Sequence, residues 1–364
     1  MSIIKKGSRI DMHCHVLGDG KSLEDALKAK DIYYNVDDNS NDLSKFVIKN
    51  VVSKLIEANI NDNGGQINHG DISADNYLQL IYSLLKSSIE LDGIVLLAMD
   101  AYYEYGANLP NEKLTDLYIN NEYLYDKINS LNARFREEKI DKQFYLGASV
   151  SPNRKDWEKE LDNACDNYKA VLIKWIPSAM NIEVDNRINI PFYKKLAAKN
   201  IPLLCHVGFE LAFISGMNCY KKDHYEHLRL PLECGVKVIA AHCAAPIIMT
   251  NKKPVIDFLN FMKEFNKNGD IKLWADTSAL NMSTRALLVE KYAKTYPPEW
   301  LIQGSDFPVP IDAIAHIPNF FNDIKPSEFY NFSRIKNPLD MDIAIKRAHG
   351  FDDSIITNFS NLFD

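Results

Sequence analysis

Near the start of the chain two histidines flank a cysteine, His13-Cys14-His15 in RIDMHCH. Residues two apart on a β-strand project to the same side, so both imidazoles would enter one pocket within reach of one ion. Three more residues of ligand type close short apolar runs: His206 in PLLCH, His242 in VKVIAAH and Asp306 in WLIQGSD. Imidazole nitrogens with a carboxylate oxygen suit Zn²⁺, and equally Fe²⁺, Mn²⁺ or Ni²⁺. A catalytic centre of this kind keeps a coordination position open for water, whose pKa the metal lowers.

These residues can meet only if the runs that carry them lie side by side. Eight runs of strand length recur, at 9–15, 93–100, 144–151, 170–176, 202–206, 236–242, 271–277 and 300–306. Stretches such as VLLAM and VIAA are apolar continuously rather than alternately, as strands covered by helices on both faces require. Between them, Leu78, Ile81, Tyr82, Leu85 and Ile89 form a helical stripe, and Val255, Phe258, Leu259, Met262 and Phe265 form another. Run ends at 174, 206, 242, 276 and 306 are spaced by 32, 36, 34 and 30 residues, the length of one strand, one helix and two loops. The pattern predicts an α/β fold, a (β/α)₈ TIM barrel, with catalytic groups at the C-terminal ends of its strands.

One domain is expected over 1–364. Residues 16–92, more than one helix needs, form an insertion after the first strand that caps the site, and 307–364 supply extra C-terminal helices.

The set DMHCH, LLCH, AAHC and GSDFP, in that order and at barrel spacing, resembles the amidohydrolase superfamily, and more narrowly its amidohydrolase-related (amidohydrolase 2) branch. The closing IITNFSNLF is similar to the terminal helix of that branch. The resemblance implies that His13, His15 and His206 bind metal, and that Asp306 binds it too or accepts the proton of the attacking water. It implies that His242 holds a second metal or polarises the scissile group. Lys174, in AVLIKWI at the end of the fourth strand, stands where binuclear members carry a carbamylated lysine bridging two metals; contact with a substrate anion and a plain ion-paired lysine are the other readings.

The expected activity is a metal-dependent hydrolase in which a metal-activated water attacks an amide, lactone or related carbonyl of a small molecule, with Zn²⁺ as the expected ion and Asp306 and His242 as catalytic residues. The alternatives are a metal-dependent decarboxylase or hydratase of a small carboxylate, and an inactive barrel that only binds a ligand.

Remaining residues receive other expectations. Cys14, Cys205 and Cys243 adjoin ligand candidates but should face the helix layer as small hydrophobes. Asp276 and Ser278 either touch substrate or satisfy a loop, His69 and His316 are candidates to line the pocket from above, and His349 is structural. His224 and His227 fall in a charged, solvated stretch, and Tyr102, Tyr103 and Tyr105 could wall a planar substrate.

Composition narrows the partners. Among 364 residues, Lys plus Arg (42) against Asp plus Glu (49) gives a net charge of −7, so neither nucleic acid nor an anionic membrane is an expected partner. No stretch approaches the roughly 18 apolar residues of a membrane span, and the first residues lack a secretory apolar core. Six scattered cysteines without a Cys-x-x-Cys fit a reducing compartment, so a cytoplasmic protein is expected, with homo-oligomerisation left open.

Overall fold

The computed structural model describes residues 4–17, 22–34, 73–208, 220–246, 253–311, 313–321 and 324–363. Eight parallel strands follow one another around a sheet in sequence order: β1 (Ile10–His15), β2 (Gly93–Leu97), β3 (Gln143–Ala148), β4 (Leu172–Trp175), β5 (Leu203–Cys205), β6 (Val238–Ala240), β7 (Leu273–Asp276) and β8 (Leu301–Ile302). The sheet closes on itself, because the segment after β8 bonds to β1: Met12 N donates to Gln303 O (3.0 Å), Asp306 N to His13 O (2.8 Å) and His15 N to Phe307 O (2.8 Å). The fold is a (β/α)₈ barrel.

Alternation along the strands separates two apolar layers. Ile10, Met12, Val95, Leu97, Leu172, Leu204, Ile239, Trp274 and Ile302 fill the barrel interior. Phe359 and Leu362 of the terminal segment join them beside Ile4, which precedes β1, and so plug the end opposite the strand C-termini. Cys14, Leu96, Ile173, Trp175, Cys205, Val238 and Ala275 face outward into the helix layer. Both faces being buried explains the continuous apolar runs.

β1 carries an irregularity that the sequence does not announce. Asp11 pairs with Ile94 and Cys14 with Leu96, so three steps on β1 oppose two on β2. The extra residue of this β-bulge resets the alternation. Met12 still fills the barrel, yet His13 and His15 also turn inward while Cys14 turns out.

The helix Ala74–Ser87 forms as its stripe predicts, capped by Ser73, whose side chain accepts from Asn76 N, and buries Leu78, Ile81, Tyr82 and Leu85. Ile89 departs from the expectation: it lies past the helix end and is 86% exposed. The chain leaves the helix there because the Asp340 carboxylate accepts from Ser88 Oγ (2.5 Å) and Ile89 N (3.0 Å). The second stripe lies on the helix Lys253–Phe265.

Within 16–92, helix Leu23–Ala29 is followed by strand Ile32–Tyr34, which pairs antiparallel with Leu117–Ile119. Residues 35–72, His69 among them, lie outside the described residues. After β8 come the helices Pro326–Phe332, Pro338–Ala348 and Ile355–Asn361. Among the described residues no helix is long and apolar enough to cross a membrane.

Candidate metal centre

Three ligand atoms from two strand ends form a nearly equilateral triangle. His13 Nε2 lies 3.1 Å from His15 Nε2, and each nitrogen lies 3.2 Å from Asp306 Oδ1. Ligands held about 2.1 Å from one ion stand roughly 3.0 to 3.4 Å apart at octahedral or tetrahedral angles, so the triangle has the dimensions of a metal face. His13 and Asp306 are buried, and His15 keeps a partly exposed side chain on the mouth side.

The protonation pattern leaves His13 Nε2 as a lone pair. His13 Nδ1 donates to the buried Asp276 carboxylate at 2.7 Å, which makes Nε2 the unprotonated nitrogen facing Asp306. A lone pair directed at a carboxylate oxygen is repulsive unless a cation lies between them. Lys174 stands at the edge, its Nζ 3.1 Å from His13 Nε2. Burial brings His15 down to about 4 and His242 to about 3, while His206 falls well below its ordinary value through burial and the adjacent His242. All three are therefore neutral near pH 7, as ligands or proton acceptors must be. Burial alone would raise Asp306, but His242, His13 and His15 together hold it well below the usual carboxylate range, so it remains an anion.

The remaining two histidines form a second pair. His206 Nδ1 lies 3.2 Å from His242 Nε2, and His242 Nδ1 meets Ser278 Oγ at 2.7 Å and Asp306 Oδ2 at 3.8 Å. Ser278 Oγ in turn donates to Asp276 Oδ1 in a short bond. His206 thus faces His242 rather than joining the triangle with His13 and His15. Asp306 reaches both groups, Oδ1 toward the triangle and Oδ2 toward His242.

Asp276 is a support that sequence reasoning left undecided. Its Oδ2 orients His13, and its Oδ1 accepts from the backbone of His242 (2.7 Å) and Ser278 (3.0 Å). Burial raises this group, but His13 and His242 outweigh it and hold the carboxyl below its usual range. Its place at the end of β7, level with the other ligand candidates, was the available signal. Asp11 is a second support: its Oδ1 accepts from Ser305 N (2.9 Å) and His13 N (3.2 Å), and burial pushes it up to about 6.

Unusual backbone accompanies these side chains. His242, Cys243 and Ala244 hold φ of 56°, 53° and 50°, and Asp306 holds 64°, left-handed values that are costly for residues with a Cβ. Gly304 permits the close approach: a Cβ there would stand 2.8 Å from His13 Cβ and 3.2 Å from Ser278 Cβ.

Other candidates stand apart from this centre. Cys14, Cys205 and Cys243 are buried in the outer layer, and burial pushes each thiol far up, so they are not thiolate ligands. His316 is not a pocket-lining group but is buried, its Nδ1 2.8 Å from His349 Nε2. His224 caps a short helix through Glu226 N, and His227 bonds to Lys222 O. Tyr103 is buried against Leu23 and Ala26, with the Arg154 guanidinium 5.3 Å from its ring centre, whereas Tyr105 is exposed.

No family model matches the chain, and no curated protein matches it. Similar solved structures include 5-carboxyvanillate decarboxylase LigW from Sphingomonas paucimobilis, at 13% identity over 94% of this chain and 98% of that one, with a TM-score of 0.46. They also include 4-oxalomesaconate hydratase LigJ from Rhodopseudomonas palustris (16% identity, 98% and 99% covered, TM-score 0.42) and an IDCase from Metarhizium anisopliae (11%, 98% of each, TM-score 0.49). The fold of this chain stands on its own strands, and its chemistry on its own atoms.

Proposed function

We propose that this chain is a metal-dependent enzyme of the amidohydrolase type, and that it hydrolyses an amide, lactone or related carbonyl of a small molecule. The observation that carries the reading is the triangle of His13 Nε2, His15 Nε2 and Asp306 Oδ1, with edges of 3.1 to 3.2 Å. A divalent cation such as Zn²⁺ bound there supplies Lewis-acid activation of water and of the substrate carbonyl.

The chain's own residues do the rest. Asp276 fixes the His13 tautomer and ring plane. Asp306 accepts a proton from the attacking water at the carboxylate and returns it to the leaving group. His242, neutral, donates from Nδ1 to Ser278 Oγ and is held beside Asp306 Oδ2 by Ser278 and His206. The strands shield the site from below with buried apolar side chains, Met12, Leu97, Leu204, Ile239 and Ile302 among them.

Lys174 favours a second reading. A buried ammonium beside a ligand histidine suits a substrate carboxylate, which fits a decarboxylase or hydratase acting on a small carboxylic acid. Metal analysis of purified protein and of His13→Ala/His15→Ala tests the shared premise: about one or two equivalents in the wild type and none in the variant are expected, and unchanged metal in the variant refutes it. Turnover of small amides, lactones and carboxylates in ¹⁸O-labelled water then separates the chemistries. Label in the product acid supports hydrolysis, and carbon dioxide release without label supports decarboxylation.

A further inference from the structure

Behind the metal centre, the helix Pro338–Ala348 presents a buried ion pair to the barrel. Lys346 and Asp342, one turn apart and each 1% exposed, meet at 2.5 Å. The Lys346 ammonium also donates to Gly304 O at 2.7 Å and Gln303 Oε1 at 3.1 Å, so three acceptors match its three donors. The Asp342 carboxylate further accepts from Gln303 Nε2 (2.8 Å) and Asn281 Nδ2 (2.8 Å). One pair therefore grips two loops, the one after β8 that leads through Gly304 and Ser305 to Asp306, and the one after β7 that follows Asp276 and Ser278.

A buried pair of this kind is weak evidence for stability, because desolvation of both ions offsets most of their attraction and apolar replacements often serve as well. Its position indicates a different use. The Gly304 peptide, whose oxygen the ammonium holds, is the one pressed against His13 Cβ. Two residues on, Asp306 N donates to His13 O at 2.8 Å, and Ser305 N is tied to Asp11. The distance between Asp306 Oδ1 and the two imidazoles is thus fixed from behind by where the Gly304 carbonyl sits.

We infer that Lys346 and Asp342 are positioning residues of the metal centre, holding the β8 loop so that Asp306 meets His13 and His15 at ligand spacing. The inference rests on the metal reading above and assigns a role to residues outside the ligand set. Withdrawing the ammonium leaves the Gly304 carbonyl without this donor and the Asp342 carboxylate with its two amide donors alone, and the tether from the helix to the β8 loop is lost.

The test uses Co²⁺ and Zn²⁺ alone as probes of full-length wild type, Lys346→Met and Lys346→Met/Asp342→Asn, the last removing both charges so that no ion is stranded. Metal affinity is measured by chelator competition, coordination by the visible spectrum of the Co²⁺ form, and folding by circular dichroism. A loss of about tenfold or more in metal affinity with an altered Co²⁺ spectrum, in folded protein, is the expected result, as for other groups that orient metal ligands. Unchanged affinity and spectrum with only a lower Tm overturn the inference, as does unfolding of both variants, which would make the pair a structural brace. Absence of metal binding by the wild type itself would instead fell the metal reading, and this inference with it.

Discussion

Asp276→Asn is the perturbation that the geometry resolves most sharply. The Asp276 Oδ1 position accepts two backbone N–H bonds, from His242 (2.7 Å) and Ser278 (3.0 Å), so the asparagine carbonyl must occupy it. The amide NH₂ then takes the Oδ2 position, 2.7 Å from His13 Nδ1, and two donors face each other. His13 escapes by moving its proton to Nε2, which points that N–H at His15 Nε2 and Asp306 Oδ1 and closes the nitrogen to a cation. Loss of a carboxylate that orients a metal-binding histidine costs 10- to 100-fold in affinity, about 1.4 to 2.7 kcal/mol, and a forced tautomer exchange places this site at the upper end. Chelator competition with Zn²⁺ measures the loss, and long-range ¹H–¹⁵N spectra of the imidazoles report the tautomer directly. An Asp276→Asn protein that keeps wild-type affinity with His13 still protonated at Nδ1 refutes the reasoning.

Gly304→Ala adds a Cβ 2.8 Å from His13 Cβ, so about 1–3 kcal/mol of overpacking is expected in thermal or denaturant melts, together with weaker metal binding; an unperturbed Tm and affinity would show that the contact is slack. Lys174→Ala is expected to keep one metal equivalent while weakening competition by small carboxylates, and loss of a second equivalent that added short-chain carboxylic acid restores would show a bridging carbamate instead. Acid should destabilise the metal-free protein. His15 and His242 titrate at about 4 and about 3 when folded against about 6.5 unfolded, and the His206 shift has the same direction, so the unfolded chain binds more protons and each imidazole removes about 1.4 kcal/mol per pH unit below 6.5. Asp11, raised to about 6, and Asp342, raised by burial, oppose below their folded values but are two groups against three, so Tm should fall from pH 7 to 5; a level or rising Tm contradicts the assignment of neutral buried histidines.

The barrel was legible because parallel strands buried on both faces leave continuous apolar runs at a repeat of one strand and one helix. All eight runs contain an observed strand, and His13, His15, Lys174 and Asp276 lie on strands. What escaped depends on tertiary contact. The β1 bulge has no local signature, since it is set by pairing with β2 rather than by the residues Asp11 to Cys14. The left-handed turn at His242 to Ala244 carries no glycine to announce it and is held by Asp276 from another strand. His316 and His349 are 33 residues apart in sequence and meet only when the C-terminal helices fold back. Lys346 and Asp342 read as an ordinary i, i+4 surface pair until the barrel buries them.

Whether His13, His15 and Asp306 hold one catalytic cation, as proposed, is decided by anomalous diffraction from crystals of the metal-loaded protein, recorded on both sides of the zinc absorption edge. A peak about 2.0 to 2.2 Å from His13 Nε2, His15 Nε2 and Asp306 Oδ1 together is the expected result. No peak at the triangle in zinc-loaded crystals, or a peak whose ligands exclude these three atoms, would contradict it.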